Sequence, residues 1–167
     1  MTASNTTPFP TGTIAGYPRI GANRELKKLL ESYWKGAIDR AAFDSGAEEL
    51  RASNRRHLVE LGLGKSDSSI PSDSSYYDHM ADATLMLGAI PHRFESRRAS
   101  DGSLDLDAYF AIARGDADNP PLEMTKWFDT NYHYLVPEIG PQTPISLSSR
   151  RPVELFVEGL KIGRAHV

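Results

Sequence analysis

From Arg24 onward the apolar residues Leu26, Leu29, Leu30, Tyr33 and Trp34 recur at i, i+3, i+4, i+7 and i+8. That spacing commits the stretch to an amphipathic helix with one face to bury. Asn23 is read as its N-cap, and Gly36 marks its end. The same period then returns. Asp39 can cap a second helix running to about Leu61, with Phe43, Ala47, Leu50, Asn54, Leu58 and Leu61 as its inward stripe and Gly62 and Gly64 as its stops. Two successive helices, each with a single apolar stripe, require packing partners. A chain of 167 residues is long enough to supply them within one ordinary domain.

Residues 1–12 read as a disordered leader. Residues 13–20 are extended in character, Pro18 keeping Tyr17 out of the helical region, and Gly21 breaks the run. Residues 65–75 are rich in Ser and Asp and read as a loop, with at most a short strand at Ile70-Pro71. A third helix is expected over residues 76–87, burying Tyr77, Met80, Thr84 and Leu87 and closed by Gly88. Residues 94–102 read as a charged loop. Asp105 can cap a short helix with Leu106, Tyr109, Phe110 and Ala113 on one face and Gly115 at its end; a polar loop follows over 116–121. Tyr132, Tyr134 and Val136 alternate as in a strand that Pro137 stops. A last helix starts near Pro152, with Val153, Leu155, Phe156 and Leu160 inward. Helices interspersed with short strands favour an α/β or α+β architecture. Residues 161–167 read as translated sequencing adaptor and are left out of fold reasoning, the alternative being a natural helix end with Gly163 as its C′ residue.

The chain has no cysteine, which removes disulfide frameworks, thiol nucleophiles and thiolate metal sites. No stretch approaches 18 uninterrupted apolar residues and the first twelve residues lack the parts of a secretory signal, so a cytoplasmic protein with no membrane partner is expected. A net charge of −3 argues against a nucleic-acid partner held by bulk electrostatics. Anion binding must come from local placement of basic residues.

Such placement occurs at the first helix. Arg24, Lys27 and Lys28 share a face at i, i+3 and i+4, in the first turns, where unpaired N–H groups and the helix dipole already favour an anion. Arg19 and Asn23 are possible further donors. The competing reading is a solvated face, since Lys27 and Glu31 stand at i, i+4. Lys126, flanked by Trp127 and polar side chains, is either a pocket lysine that clamps a carboxylate or phosphate, or a lysine whose stem packs on Trp127 with its head in water. None of His57, His79, His92, His133 and His166 has a metal-ligand spacing; His79 beside Asp78 reads as a hydrogen-bonded packing residue. No phosphate loop, dinucleotide fingerprint, nucleophile elbow or carboxylate pair is present. These residues offer a possible anion-binding surface and no catalytic machinery.

Three stretches carry a family resemblance: Gly16-Tyr17-Pro18-Arg19-Ile20-Gly21 with Arg24-Glu25-Leu26-Lys27-Lys28 and Glu31-Ser32-Tyr33-Trp34; Tyr76-Tyr77-Asp78-His79; and Glu123-Met124-Thr125-Lys126-Trp127-Phe128 with Thr130-Asn131-Tyr132-His133-Tyr134-Leu135-Val136-Pro137-Glu138. In this order they resemble the N-terminal domain of cobalamin-independent methionine synthases, over residues 13–160. The resemblance implies the opening part of an N-terminal TIM-like (β/α)8 barrel of the α/β class, helix-rich as a fragment. It also implies a parent enzyme that moves a methyl group from 5-methyltetrahydropteroyl-polyglutamate to homocysteine, forming methionine. Carried over residue by residue, the family's folate-polyglutamate contacts match Arg24, Glu25, Leu26, Lys27 and Lys126. The zinc that activates homocysteine is implied for a C-terminal barrel, through His, Cys and Glu ligands, so the fragment alone is expected to bind no metal and to be inactive. The alternative function is a stand-alone, non-catalytic polyanion- or folate-binding domain.

Overall fold

Asp39, Asp78 and Asp105 each stand one residue ahead of a helix, and each carboxylate accepts the backbone N–H three residues on, from Ala42, Ala81 and Ala108, at 2.8, 2.9 and 2.8 Å. An Asp in extended conformation satisfies one otherwise orphaned donor and complements the helix dipole, so these caps set where three of the helices begin. They are seen in a computed structural model that describes residues 12–64, 70–160 and 165–166. The leader expected over 1–12 falls outside the described residues apart from Gly12, and the expected tail apart from the backbone of 165–166. The elements are α1 (Glu25–Trp34), α2 (Arg40–Glu60), β1 (Ile70–Pro71), α3 (His79–Met86), a 3-10 helix (His92–Arg97), α4 (Leu106–Arg114), β2 (Met124–Lys126), β3 (His133–Leu135), α5 (Arg151–Leu160) and β4 (Ala165–His166). Helices thus mix with two small sheets. β1 and β4 pair in parallel, Ile70 opposite Ala165; β2 and β3 pair antiparallel, Met124 opposite Leu135 and Lys126 opposite His133.

The chain divides into two units, residues 1–76 with 152–167, and residues 77–151. In the first, Leu26 and Leu30 of α1 and Phe43, Ala47 and Leu58 of α2 are buried, together with Ile70, Tyr76 and Leu155. The Phe43 ring packs 5.1 Å from that of Tyr33 and 5.0 Å from that of Tyr76. Gly46 lies under the Leu29 side chain, where a Cβ would collide with a leucine methyl; a residue that weakens a helix is here what lets α1 approach α2. Of the expected stripe of α2, Phe43, Ala47 and Leu58 are buried, Leu50 and Asn54 are half-buried, and Leu61, just past the helix end at Glu60, is exposed. On α5 only Leu155 of the four expected inward residues is buried; Val153 and Leu160 are exposed and Gly159 is buried in their place.

In the second unit α4 is buried almost all round, from Leu106 through Ala113 with only Asp107 exposed. A helix apolar on every side occupies the middle of its unit, and α4 does so. Two expectations fail here. The third helix does not span 76–87: the Asp78 cap starts it at His79, so Thr84 is inward as expected but is joined by Ala81 and Leu85, while Met80 and Leu87 face out. Residues 94–102 are not simply a charged loop, because Phe94 is fully buried at the centre of the 3-10 helix. Arg98 then ties that region together, donating to Glu95, to the carbonyls of Gly88 and Gly102 and to Ser148 Oγ. The strand expected from Tyr132, Tyr134 and Val136 forms as β3, and Leu135 is its buried residue. Its partner β2 carried no alternation to reveal it.

Candidate functional site

The basic residues of the first unit sit on a turn held by backbone hydrogen bonds. Arg24 N–H donates to Gly21 O at 3.2 Å and Leu26 N–H to Ile20 O at 3.1 Å. Arg24 itself is left-handed, φ 61° and ψ 38°, a conformation that costs a residue with a Cβ roughly 1–2 kcal/mol. It stands at the cap position and makes no side-chain cap bond, so Asn23 is not the N-cap expected from sequence. Asn23 instead donates its N–H and its Nδ2 to the carboxylate of Glu25, at 2.9 and 3.1 Å. The backbone N–H of Glu25 and that of Asn23 hold this carboxyl below its ordinary value. The negative charge favoured at the start of α1 is therefore supplied by the chain's own Glu25.

Around it the cations face water. Lys27 Nζ lies 3.5 Å from Glu31, both about half exposed, a pair that contributes roughly 0.3–0.5 kcal/mol. Arg24 and Lys28 are exposed, and Lys28 makes no ion pair among the described residues. The solvated-face reading thus describes Lys27, while Arg24 and Lys28 keep open donors. Leu26 is buried in the first unit's core and its N–H is taken by Ile20 O, so it supports the turn. Two clefts flank the turn. One, of about 460 Å³, is walled by Tyr17, Gly21, Glu25, Asn54, Arg56 and His57; the other, of about 520 Å³, takes in Glu25, Lys28, Ile38 and Glu49. Glu25 belongs to both.

Lys126 belongs to the second unit, at the end of β2 and opposite His133. Its hairpin is closed tightly. Trp127 N–H donates to Tyr132 O at 2.8 Å, Thr130 Oγ1 donates to Trp127 O at 2.6 Å, and Phe128 takes a left-handed φ of 49°. That turn exposes Lys126 together with Trp127, Phe128 and Tyr132, Phe128 being 81% exposed. The Trp127 ring stands edge-on to Phe128 at 4.9 Å and to Tyr134 at 5.9 Å. The lysine is thus presented beside an outward aromatic group rather than in an enclosed pocket. His79, expected as a packing residue, is exposed as the first residue of α3.

One charged cluster is absent from the sequence reading. Arg51 and Arg55 are buried on α2 and both bind Glu158 of α5: Arg51 Nη2 at 2.7 Å and Arg55 Nη1 at 2.6 Å. Burial works to raise the Glu158 carboxyl, and the bonds from Arg51 and Arg55 outweigh it, holding it below its ordinary value. The only sequence signal is two arginines at i, i+4 beside an apolar stripe; nothing local points to a partner more than a hundred residues away. Among the described residues no three His, Asp or Glu side chains converge as metal ligands, and no helix is long and apolar enough to cross a membrane.

Residues 11–166 match the sequence profile of a family described as the cobalamin-independent synthase, N-terminal domain. The chain is similar to the 5-methyltetrahydropteroyltriglutamate–homocysteine methyltransferase of Streptomyces coelicolor, 48% identical over 98% of the chain and 20% of the relative. It is 51% identical to that of Rhodococcus jostii over 82% of the chain and 17% of the relative. A chloroplastic enzyme of the same name from Arabidopsis thaliana is 46% identical over 90% of the chain and 18% of the relative. The chain thus spans about a fifth of the length of these relatives.

Proposed function

The chain belongs to the cobalamin-independent synthase family, by its N-terminal domain, and on that premise we propose that it receives the polyglutamate tail of a folate for a cytoplasmic methyl-transferring enzyme. The relatives' names specify a triglutamate methyl donor and homocysteine as acceptor. The parent reaction in this reading is transfer of the methyl group of 5-methyltetrahydropteroyl-polyglutamate to homocysteine, giving methionine. The residues assigned to the tail are Arg24, Glu25, Leu26, Lys27 and Lys126, and the opening of a (β/α)8 barrel is the scaffold.

The observation that carries the reading is the outward cation face at the start of α1, where Arg24 and Lys28 stand exposed and Lys28 lines a cleft of about 520 Å³. A flexible polyanion needs several donors spaced along a surface rather than one enclosed pocket, and charge-assisted contacts of this kind are worth about 1.5–3 kcal/mol each. Leu26, buried and with its N–H bound to Ile20 O, holds the turn in place. Glu25, already bound to Asn23, shapes the turn rather than adding a donor. Zinc is not placed on this chain, which has no cysteine and, among its described residues, no converging ligand set, and no chemical step is derived through it.

The test is calorimetric titration of the chain with 5-methyltetrahydrofolate carrying one or three glutamates. Binding that tightens with glutamate number, and a loss of roughly tenfold for the triglutamate in Lys27→Ala and in Lys126→Ala with little change for the monoglutamate, is expected. Equal affinities for the two ligands, or equal losses, would remove the tail-binding assignment. Tail-dependent binding by a chain that proves complete would instead favour the stand-alone folate-binding domain.

A further inference from the structure

The chain contains one Asp-Gly step, Asp101-Gly102, and no Asn-Gly. An Asp-Gly step reacts with itself in water. The backbone nitrogen of the glycine attacks Cγ of the aspartyl side chain, and no Cβ on the glycine stands in its way. The N–Cγ bond forms and a Cγ–O bond breaks; the carboxyl OH and the amide hydrogen leave together as water. The product is a five-membered succinimide. Water then adds at either carbonyl. One opening restores aspartate, and the other leaves isoaspartate, whose main chain is one carbon longer. Neither an enzyme nor a co-reactant is needed.

The step lies on a turn of the second unit just after the 3-10 helix, with Asp101 and Ser103 exposed and Gly102 left-handed at φ 85°. Three hydrogen bonds oppose the attack. Ser103 donates its Oγ and its N–H to the same oxygen, Asp101 Oδ1, at 2.6 and 2.9 Å. These two bonds hold the Asp101 carboxyl below its ordinary value, and an ionised carboxylate is a poor electrophile. The attacking nitrogen is engaged as well, since Gly102 N–H donates to Ala99 O at 2.9 Å. Ala99 N–H donates to Ser103 O at 3.0 Å, which closes the turn. All of this sits at the surface, where bonds open by local fluctuation without global unfolding.

We propose that Asp101 is the site at which this chain isomerises to isoaspartate, at a rate set by opening of the bonds from Ser103 and to Ala99. The consequence reaches inward. Gly102 O accepts from Arg98 Nη1 at 3.2 Å, and the same nitrogen donates to Ser148 Oγ at 3.0 Å. Leu104 N–H donates to Ser148 O at 3.0 Å. An extra main-chain carbon at Asp101 displaces the Gly102 carbonyl from Arg98. It thereby loosens the side chain that also binds Glu95 and Gly88 O.

The test is peptide mapping of the 167-residue chain, held for weeks at neutral pH below its melting midpoint, with isoaspartyl peptides separated and counted. Isoaspartate is expected at Asp101 ahead of every other acid. Its rate should be roughly tenfold below that of a synthetic peptide covering residues 96–106, because the peptide lacks the fixed turn. Ser103→Ala, an exposed change that keeps Asp101-Gly102, should isomerise several-fold faster than the parent. Asp101→Glu, which does not readily close the five-membered ring, should form none at this position. The aged parent should melt earlier than fresh chain, while aged Asp101→Glu should not. No isoaspartate at Asp101, a folded chain as fast as the peptide, or an unchanged rate in Ser103→Ala would each overturn the proposal. So would equal loss of melting midpoint in the aged parent and aged Asp101→Glu.

Discussion

The phenolic oxygen of Tyr109 accepts the backbone N–H of Asp78 at 2.9 Å and donates to the carbonyl of the same residue at 3.2 Å. It also accepts the N–H of Tyr77 at 2.9 Å. One side chain of α4 therefore fixes the peptide from which α3 starts. Asp78 then caps α3 through Ala81, so the hydroxyl and the carboxylate act in series on one short segment.

Tyr109→Phe keeps the ring in its packing and removes only the hydroxyl, leaving two inward N–H groups without an acceptor. Buried orphans of this kind cost about 1–3 kcal/mol each. A loss in that range is expected from urea denaturation, together with faster amide exchange at the start of α3. A variant as stable as the parent would show that water replaces the hydroxyl.

Glu158→Gln leaves Arg51 and Arg55 sharing a neutral acceptor. Removing one partner of a largely buried ion pair typically costs several kcal/mol, and about 3 kcal/mol is expected for a carboxylate that keeps 14% exposure. The pH dependence has a definite sign. The folded carboxyl lies below the ordinary glutamate value of 4.5, so its stabilising contribution is complete above that value and is lost as pH falls through the lowered folded value. Denaturation curves taken at neutral pH and stepwise below 4.5 should converge for parent and variant in acid. A gap that persists there would assign the loss to shape rather than charge.

Gly21→Ala tests the turn before α1. Gly21 has φ 83°, and a Cβ there would run into the Glu25 carboxylate and a Leu50 methyl. Both strain and collision act against the substitution, so a loss of more than about 1 kcal/mol is expected, with a displaced Glu25. Thermal denaturation checks the loss, and an unchanged melting midpoint would mean that the turn can relax without harm.

Val153, Val157 and Leu160 lie at i, i+4 and i+7 on α5 and are each about half exposed. An apolar stripe of this kind promotes association when nothing covers it. Sedimentation of the isolated chain should show concentration-dependent self-association, reduced by Val157→Lys. A strictly monomeric parent chain at high concentration would contradict this.

The helices were legible where a local signal was strong. Asp39 and Asp105 cap α2 and α4 as read, because a short carboxylate three residues ahead of an open N–H acts through its immediate neighbours alone. The phase of the shorter elements was not legible. Ala81 and Leu85 rather than Met80 and Leu87 are buried, because a helix of a few residues turns whichever face its neighbours cover. The pairing of Lys27 with Glu31 was legible from their i, i+4 spacing, whereas the left-handed turn that presents Arg24 was not.

The sequence by itself determined the family, most helix positions and the identity of the candidate anion-binding residues, since these rest on short-range spacing and on motifs of consecutive residues. Tertiary structure alone decided that Glu25 takes the negative position at the start of α1, that Arg51 and Arg55 turn inward, and that Glu158 meets them. The physical reason is range. A cap or an amphipathic stripe is settled within one or two turns of chain, whereas the partner of a buried charge is chosen by whichever distant segment the packed core brings beside it.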